Sequence, residues 1–408
     1  MSAPKFAIID DDIKRASDLM ENLQLEMATF SAVEASIQQF NPTDTFYFDD
    51  VCRCESACFI AMRVGGTDAM AIMRKLGERG YLGAVILLSE FDIRVTELAS
   101  DLARSYNVHH LGTLSDCADR QEIHHLLEEL KKYHTHLHIT DSQVSEQALL
   151  DAISFHQIEP YYQPKLNAQT HRVTSIEVLA RIVTPDSKFP IMPGQFIMAA
   201  EQHGLINLVT FQLVEKAVKA FPQILREFGE QCQLAINISP IQLEDLNFPN
   251  QLLAILEINH LKPQQFILEI TEEYQIRTSN QLETLNRLRM LQFGTSLDDF
   301  GAGYTNIRQL RRLPFTEVKI DRSLISYIDN DRFSQLIVST LNDLAKELNM
   351  GLVAEGIERP QEFQYLRQTH PEIALQGFLI CKPQTIEGVI AWYQHWAFNH
   401  KRIQLYNE

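Results

Sequence analysis

The chain has 408 residues, 45% of them hydrophobic and 22% charged, a globular composition in a length that suits two domains better than one. Its formal net charge of -17 argues against a broad nucleic-acid footprint, which needs basic surface, and means that an anionic substrate would be drawn in by bound cations rather than by the overall field. No apolar run is long enough to span a bilayer, and the opening MSAPKFAIIDDD lacks the basic start and cleavage region of a signal peptide, so a cytoplasmic protein without membrane insertion is expected. In that setting Cys52, Cys54, Cys58, Cys117, Cys232 and Cys381 read as free thiols, and the first three lack an evident fourth ligand for zinc.

In chain order, Lys5 to Ile9 is an apolar strand that ends in Asp10-Asp11-Asp12, and a helical pattern follows to about Leu25. Ala57 to Met62 is a second apolar run. From Thr67 to Gly80, Ala69, Ile72, Met73 and Leu76 fall on one helical face, which reads as core packing. Ala84 to Leu88 is an aliphatic strand closed by Ser89, and a polar helix from about Ala118 to Tyr133 ends the unit. Alternating strands and helices predict a parallel, doubly wound sheet for residues 1–133. Residues 134–145 (HTHLHITDSQVS) read as a polar linker; the alternation of His134, His136 and His138 has no carboxylate or cysteine pattern beside it that would make a metal site.

From Glu146 the chain is close to the ~250 residues of a (β/α)8 barrel, predicted over 146–400, with a tail at 401–408. Seven short apolar runs there carry polar residues where apolar ones are expected: Glu177 in SIEVL, Asn237 in LAINIS, Glu269 in FILEIT, Asp298-Asp299 in SLDDF, Lys319 in EVKI, Glu355 in LVAEG and Gln376 in QGFLI. The steps between them mostly fit one strand, one helix and two loops. The long first step has room for an extra helix within PGQFIMAAEQHGLINLVTFQLVEKAVKAF. Barrel enzymes carry their chemistry at the C-terminal strand ends.

An acid at one strand end is often a helix cap or half of an ion pair. A set repeated from strand to strand points instead to one shared site, because a buried charge needs a partner or a metal. Oxygen ligands suit Mg²⁺ or Mn²⁺ rather than zinc. Asp298 and Asp299 can bridge and hold two ions, a common device for phosphodiester hydrolysis. Lys319 offers fixed positive charge, and Glu355 can ligate a metal or accept a proton.

These residues carry a family resemblance. YYQPKLN, IEVLAR, FIMAAEQHGLI, INISPIQL, LEITEE, SLDDFGAGYTNIRQL, VKIDRS, AEGIE and QGFLICKP, in that order, resemble the EAL family of cyclic di-GMP phosphodiesterases over nearly all of 146–400. The resemblance implies a (β/α)8 barrel with one strand reversed, hydrolysis of cyclic di-GMP to linear pGpG, use of two Mg²⁺ or Mn²⁺ ions, and a homodimer through this domain. It implies that Glu177, Asn237, Glu269 and Asp298 are primary metal ligands, and that Asp299 and Glu355 divide the second-metal and water-activating roles. Lys319 would lie beside the nucleophilic water and Gln376 would order it. Gln163, Leu179 and Arg181 match substrate contacts, with Arg181 suited to a phosphate oxygen. Asp321 matches a further acid near the substrate, Glu272 the glutamate that holds the loop after Asp298-Asp299, and Glu358 another polar residue of the site. Two departures are visible: Val178 stands where the family has Ala, and Ala302 where it often has Thr. The alternative is a catalytically silent cyclic di-GMP sensor or adaptor, although no expected ligand is missing.

The first unit resembles a response-regulator receiver, which implies a flavodoxin-like fold. Asp10 and Asp11 match its metal-binding acids and Ser89 its hydroxyl. The acceptor position is Ala61, which cannot be phosphorylated, and no Lys occurs between Lys75 and Lys131. Asp49 and Asp50 remain as displaced acceptors, but the flanking pattern fits Ala61. The expectation is a pseudo-receiver that acts by contact with a partner protein. No diguanylate-cyclase segment or DNA-binding motif is recognisable.

Overall fold

A computed structural model describes residues 4–30, 36–40, 47–54, 56–89, 91, 93–106, 108–115, 120–140, 144–185, 187, 189–271, 276, 278–301 and 307–406. The chain divides into two compact units, Met1–Ser142 and Gln143–Glu408.

The first unit is built on five parallel strands, β1 (Lys5–Ile9), β2 (Ser36–Phe40), β3 (Ala57–Ala61), β4 (Ala84–Leu88) and β5 (His109–Leu114), in the order β2-β1-β3-β4-β5. This is the flavodoxin-like doubly wound order. Its central strands are buried along almost their whole length, as a parallel sheet covered on both faces requires. The predicted stripe Ala69, Ile72, Met73 and Leu76 is the buried face of helix Ala69–Glu78, whose N-cap Asp68 accepts from Ala71 N at 2.8 Å.

Two boundaries differ from the sequence reading. The first helix runs to Phe30 rather than to about Leu25. The last helix of the unit spans Arg120–Thr140, so much of the stretch expected as a linker is helical. Its histidines are polar, but it contains no Gly or Pro to stop a helix.

The second unit is a closed eight-stranded barrel. Its strands are β6 (Ile158–Asn167), β7 (Val173–Ile182), β8 (Gln233–Ile238), β9 (Phe266–Thr271), β10 (Gly294–Phe300), β11 (Glu317–Ile320), β12 (Gly351–Ala354) and β13 (Ala374–Leu375). β6 is antiparallel to both β7 and β13, and every other pairing is parallel, which is the single reversed strand. The long step between β7 and β8 holds helices Ile197–Gln202 and Ile206–Phe228, the extra helical segment expected there. The final helix, Ile386–Tyr406, continues through most of the expected tail.

Alternation along each strand separates two faces. On β7, Ile176, Val178, Ala180 and Ile182 belong to the apolar core, while Glu177, Leu179 and Arg181 take the other side. The extra methyls of Val178 therefore fill the hydrophobic layer and point away from Glu177. Among the described residues no helix is long and apolar enough to cross a membrane.

Candidate active site

Lys319 is the hub of the barrel's polar interior. It lies on β11 and is 1% exposed, and its Nζ reaches Glu355 Oε1 at 2.5 Å, Glu269 Oε2 and Asp298 Oδ1 at 2.9 Å, and Glu177 Oε2 at 3.7 Å. One ammonium group thus joins acids from β7, β9 and β10 with the one that follows β12. Its desolvation is outweighed by these carboxylates, which hold its pKa well above the ordinary lysine value.

A ring of amides fixes the acids. Asn237 Nδ2 donates to Glu177 Oε1 at 2.7 Å, and Gln376 Nε2 donates to Glu177 Oε2 at 2.6 Å and Gln163 Oε1 at 3.0 Å. Gln163 in turn donates to Cys381 O at 2.9 Å. Burial opposes ionisation of Glu177, but Lys319, Lys165 and these two amides prevail and bring its carboxyl down to about 2. For Glu269 burial prevails over Lys165 and Lys319, and its carboxyl is pushed up to about 7. Burial, helped by the Asp298 and Glu177 charges, holds Glu355 well above the usual carboxylate range against the pull of Lys319.

The sequence left open which way Asp298 and Asp299 point. Consecutive strand residues ordinarily face opposite sides. Here Asp299 has φ 58°, a left-handed conformation that is uncommon outside Gly, Asn and Asp, and the β10–β11 register shifts between Leu297 and Phe300. With this kink, carboxylate oxygens of Asp298, Asp299 and Glu355 all lie within 4.8 Å of one another. That is a set of hard donors able to hold a divalent cation. Gln376 Oε1 is buried and has no hydrogen-bond partner among the described residues, a spare acceptor beside the same cluster.

The predicted metal and lysine set is brought together here, with Asn237 exposed and the lysine and acids buried or half-buried. The predicted substrate contacts divide. Gln163 is in the amide ring. Leu179 and Arg181 share the Glu177 side of β7; Arg181 is buried, donates to Ala180 O at 2.8 Å and lies over the Tyr161 ring at 5.4 Å. Asp321 caps the short helix Arg322–Ile325 by accepting from Ser323 N at 2.9 Å, and exposed Glu358 pairs with Arg322 at 2.6 Å. Glu272 and Ala302 lie outside the described residues. Sequence reasoning missed Lys165, which is 0% exposed and reaches Glu269 Oε1 at 2.5 Å and Glu317 Oε1 at 3.2 Å. The signal was present: Lys165 is two residues from Gln163 and so shares its strand face.

In the first unit, buried Asp10 is bound by Arg15, with Nε to Oδ2 at 2.6 Å and Nη2 to Oδ1 at 2.8 Å. Asp11 Oδ2 accepts from Gly65 N at 2.9 Å. Ser89 Oγ accepts from Phe91 N at 3.0 Å, and Ala61 is buried at the end of β3.

A family model for the EAL domain matches residues 146–383, more than half of the chain. The chain belongs to the EAL-domain family. It is 29% identical over 329 residues to the cyclic di-GMP phosphodiesterase RocR of Pseudomonas aeruginosa, covering 79% of this chain and 82% of that protein. This aligned length exceeds the barrel unit, so the likeness reaches into the first unit. The bifunctional diguanylate cyclase/cyclic di-GMP phosphodiesterase MucR of the same species is 32% identical over 244 residues, covering 60% of this chain but only 35% of MucR. A solved structure described as PaMucR phosphodiesterase in a c-di-GMP complex superposes with a TM-score of 0.55 at 32% identity, covering 60% of this chain and 98% of that one.

The geometry makes Lys319 the internal counter-ion of this EAL domain. Leaving buried charge uncompensated costs about 3–5 kcal/mol, so Lys319→Met should lower the barrel's unfolding free energy by that order in EDTA, and added Mg²⁺ should recover more stability in the variant than in the wild type. Denaturant melts with and without Mg²⁺ read both effects; equal stability of the two proteins in EDTA would contradict the assignment.

Proposed function

We propose that the protein hydrolyses cyclic di-GMP to linear pGpG with two divalent cations, Mg²⁺ or Mn²⁺, in the barrel. The observation that carries this reading is a charge imbalance. Six carboxylates (Glu177, Glu269, Asp298, Asp299, Glu317 and Glu355) are gathered with the two ammoniums of Lys165 and Lys319, and when ionised they leave an excess of four negative charges, the charge of two divalent ions.

In this reading Glu177, Asn237, Glu269 and Asp298 hold the first ion, and Asp298 and Asp299 the second. Such ions supply Lewis-acid polarisation of the phosphodiester and a more acidic bound water. The protein's own groups do the rest. Glu355, whose proton affinity is raised by burial, accepts the proton of the attacking water. Lys319 stays protonated and faces the charge that develops on the phosphate. Gln376 and Gln163 orient the water through the amide chain they share, and Arg181 pairs with a phosphate oxygen while Leu179 covers the sugar or base beside it. Asp321 and Glu358 stand on the substrate side of the site, fixed by Ser323 N and Arg322, and Glu272 holds the loop after Asp298-Asp299. No observation favours the silent sensor, since each ligand it would have lost is in place.

The reading includes the homodimer implied by the family, for which Phe333 and Leu336, exposed about one turn apart on helix Arg332–Glu347, offer apolar contacts. It places the protein in the cytoplasm and makes the first unit a pseudo-receiver that engages a partner protein, with Arg15 standing as a fixed cation on Asp10 and no acid at Ala61.

Two experiments test this. Purified protein with cyclic di-GMP and Mg²⁺ should yield pGpG by chromatography. EDTA should abolish the product, and Glu177→Ala should lower turnover by about 10²-fold or more, as loss of a transition-state electrostatic contact does; metal-independent cleavage, or a fully active variant, would refute the assignment. Incubation with acetyl phosphate should leave no acid-labile phosphate on the first unit, whereas a stoichiometric adduct would show an acceptor other than position 61.

A further inference from the structure

Lys165 stands outside the set of groups that the phosphodiesterase reading uses, yet it is among the most completely buried side chains of the barrel. It is carried by β6, the reversed strand, one strand-face step below Gln163. Register puts Gln163 opposite Glu177 and Lys165 opposite Ser175, so β6 places an amide at the level of the ligands and an ammonium beneath them. Glu269 is held from two sides. Lys165 Nζ takes Oε1 at 2.5 Å and Lys319 Nζ takes Oε2 at 2.9 Å.

Burial of a lysine without a partner is costly, so the bland explanation is that Lys165 merely neutralises Glu317, which it meets at 3.2 Å. The geometry argues for more. The shorter contact is to Glu269, and Glu269 is fully enclosed, so the only freedom left to its carboxylate is rotation about its own bonds. A clamp on Oε1 removes that freedom and turns Oε2 toward Lys319 and the other acids. Groups that bond a ligating side chain from behind fix its orientation and tune the affinity of the metal site.

We propose that Lys165 is a positioning residue that fixes the Glu269 carboxylate for cation binding, through its ion pair rather than by touching metal or substrate. The proposal rests on the metal-dependent reading above and deepens it.

The test separates positioning from plain charge balance. Mn²⁺ binding to the full chain is measured by EPR, without substrate, for the wild type, Lys165→Met, and the double variant Lys165→Met/Glu317→Gln, with thermal melting of each in EDTA. The double variant removes the ammonium together with its outer partner, so it keeps the balance and the fold if the single variant does not. Loss of an orienting partner weakens metal sites by about 10- to 100-fold. Both Lys165 variants should show that weakening, while the double variant melts near the wild type and recovers turnover at saturating Mn²⁺ with an unchanged KM for cyclic di-GMP. A folded double variant that binds Mn²⁺ as tightly as the wild type would overturn the proposal and leave Lys165 as the counter-ion of Glu317. Binding of Mn²⁺ without any cyclic di-GMP cleavage in the wild type would count against the phosphodiesterase reading alone, because the Lys165 comparison is made on binding. Absence of Mn²⁺ binding in the wild type would overturn both.

Discussion

One buried ammonium group organises the barrel. Lys319 touches carboxylates from four separate strand positions and lowers the cost of enclosing each of them, since isolated buried charge is far costlier than paired charge. The same contacts explain why neighbouring acids differ so much in proton affinity. Glu177, held by two amides as well as by lysines, stays ionised to about pH 2, whereas Glu269 is pushed up to about 7. Environment, not residue type, sets which acid is a permanent anion.

The fold serves this cluster through departures from regularity. A reversed first strand brings Gln163 and Lys165 to the interior beside β7. A left-handed residue at Asp299 swings a second carboxylate to the side where a regular strand would have sent only one. Gly377 follows Gln376 at a point where a Cβ would lie 2.2 Å from the Ile357 backbone, so only glycine lets the chain pass close enough to seat the glutamine amide against Glu177.

Much of this was legible in the sequence. Polar residues recurring in otherwise apolar runs named every carboxylate of the cluster, and the aliphatic runs of the first unit gave its central strands. Other features were not legible, for physical reasons. The face of Lys165 could be read from Gln163, but its partners could not, since Glu269 and Glu317 meet it only when the barrel closes. Arg15 is one polar residue in an amphipathic helix, and only folding shows that it closes on Asp10. The Arg120–Thr140 helix runs past its apolar pattern into a polar, histidine-rich stretch, where only the absence of a helix breaker signals that it continues. Asp321 and Glu358 are acids of the right motifs, but their side chains are engaged by a helix N-terminus and by Arg322, so sequence alone could not tell a bracing role from a direct contact.

The two units answer the same problem, buried acids at the ends of parallel strands, in opposite ways. In the first, the Arg15 guanidinium pairs with both oxygens of Asp10. In the second, Lys319 meets four carboxylates and Lys165 meets one of them together with Glu317, which leaves the acids in excess, the imbalance that the proposed cations would offset. The most direct test is anomalous diffraction from crystals of the protein grown with Mn²⁺. Two peaks per chain are expected, one among Glu177, Asn237, Glu269 and Asp298 and one at Asp299; a structure at saturating Mn²⁺ with no peak in the barrel, its acids facing only Lys319 and Lys165, would contradict the account.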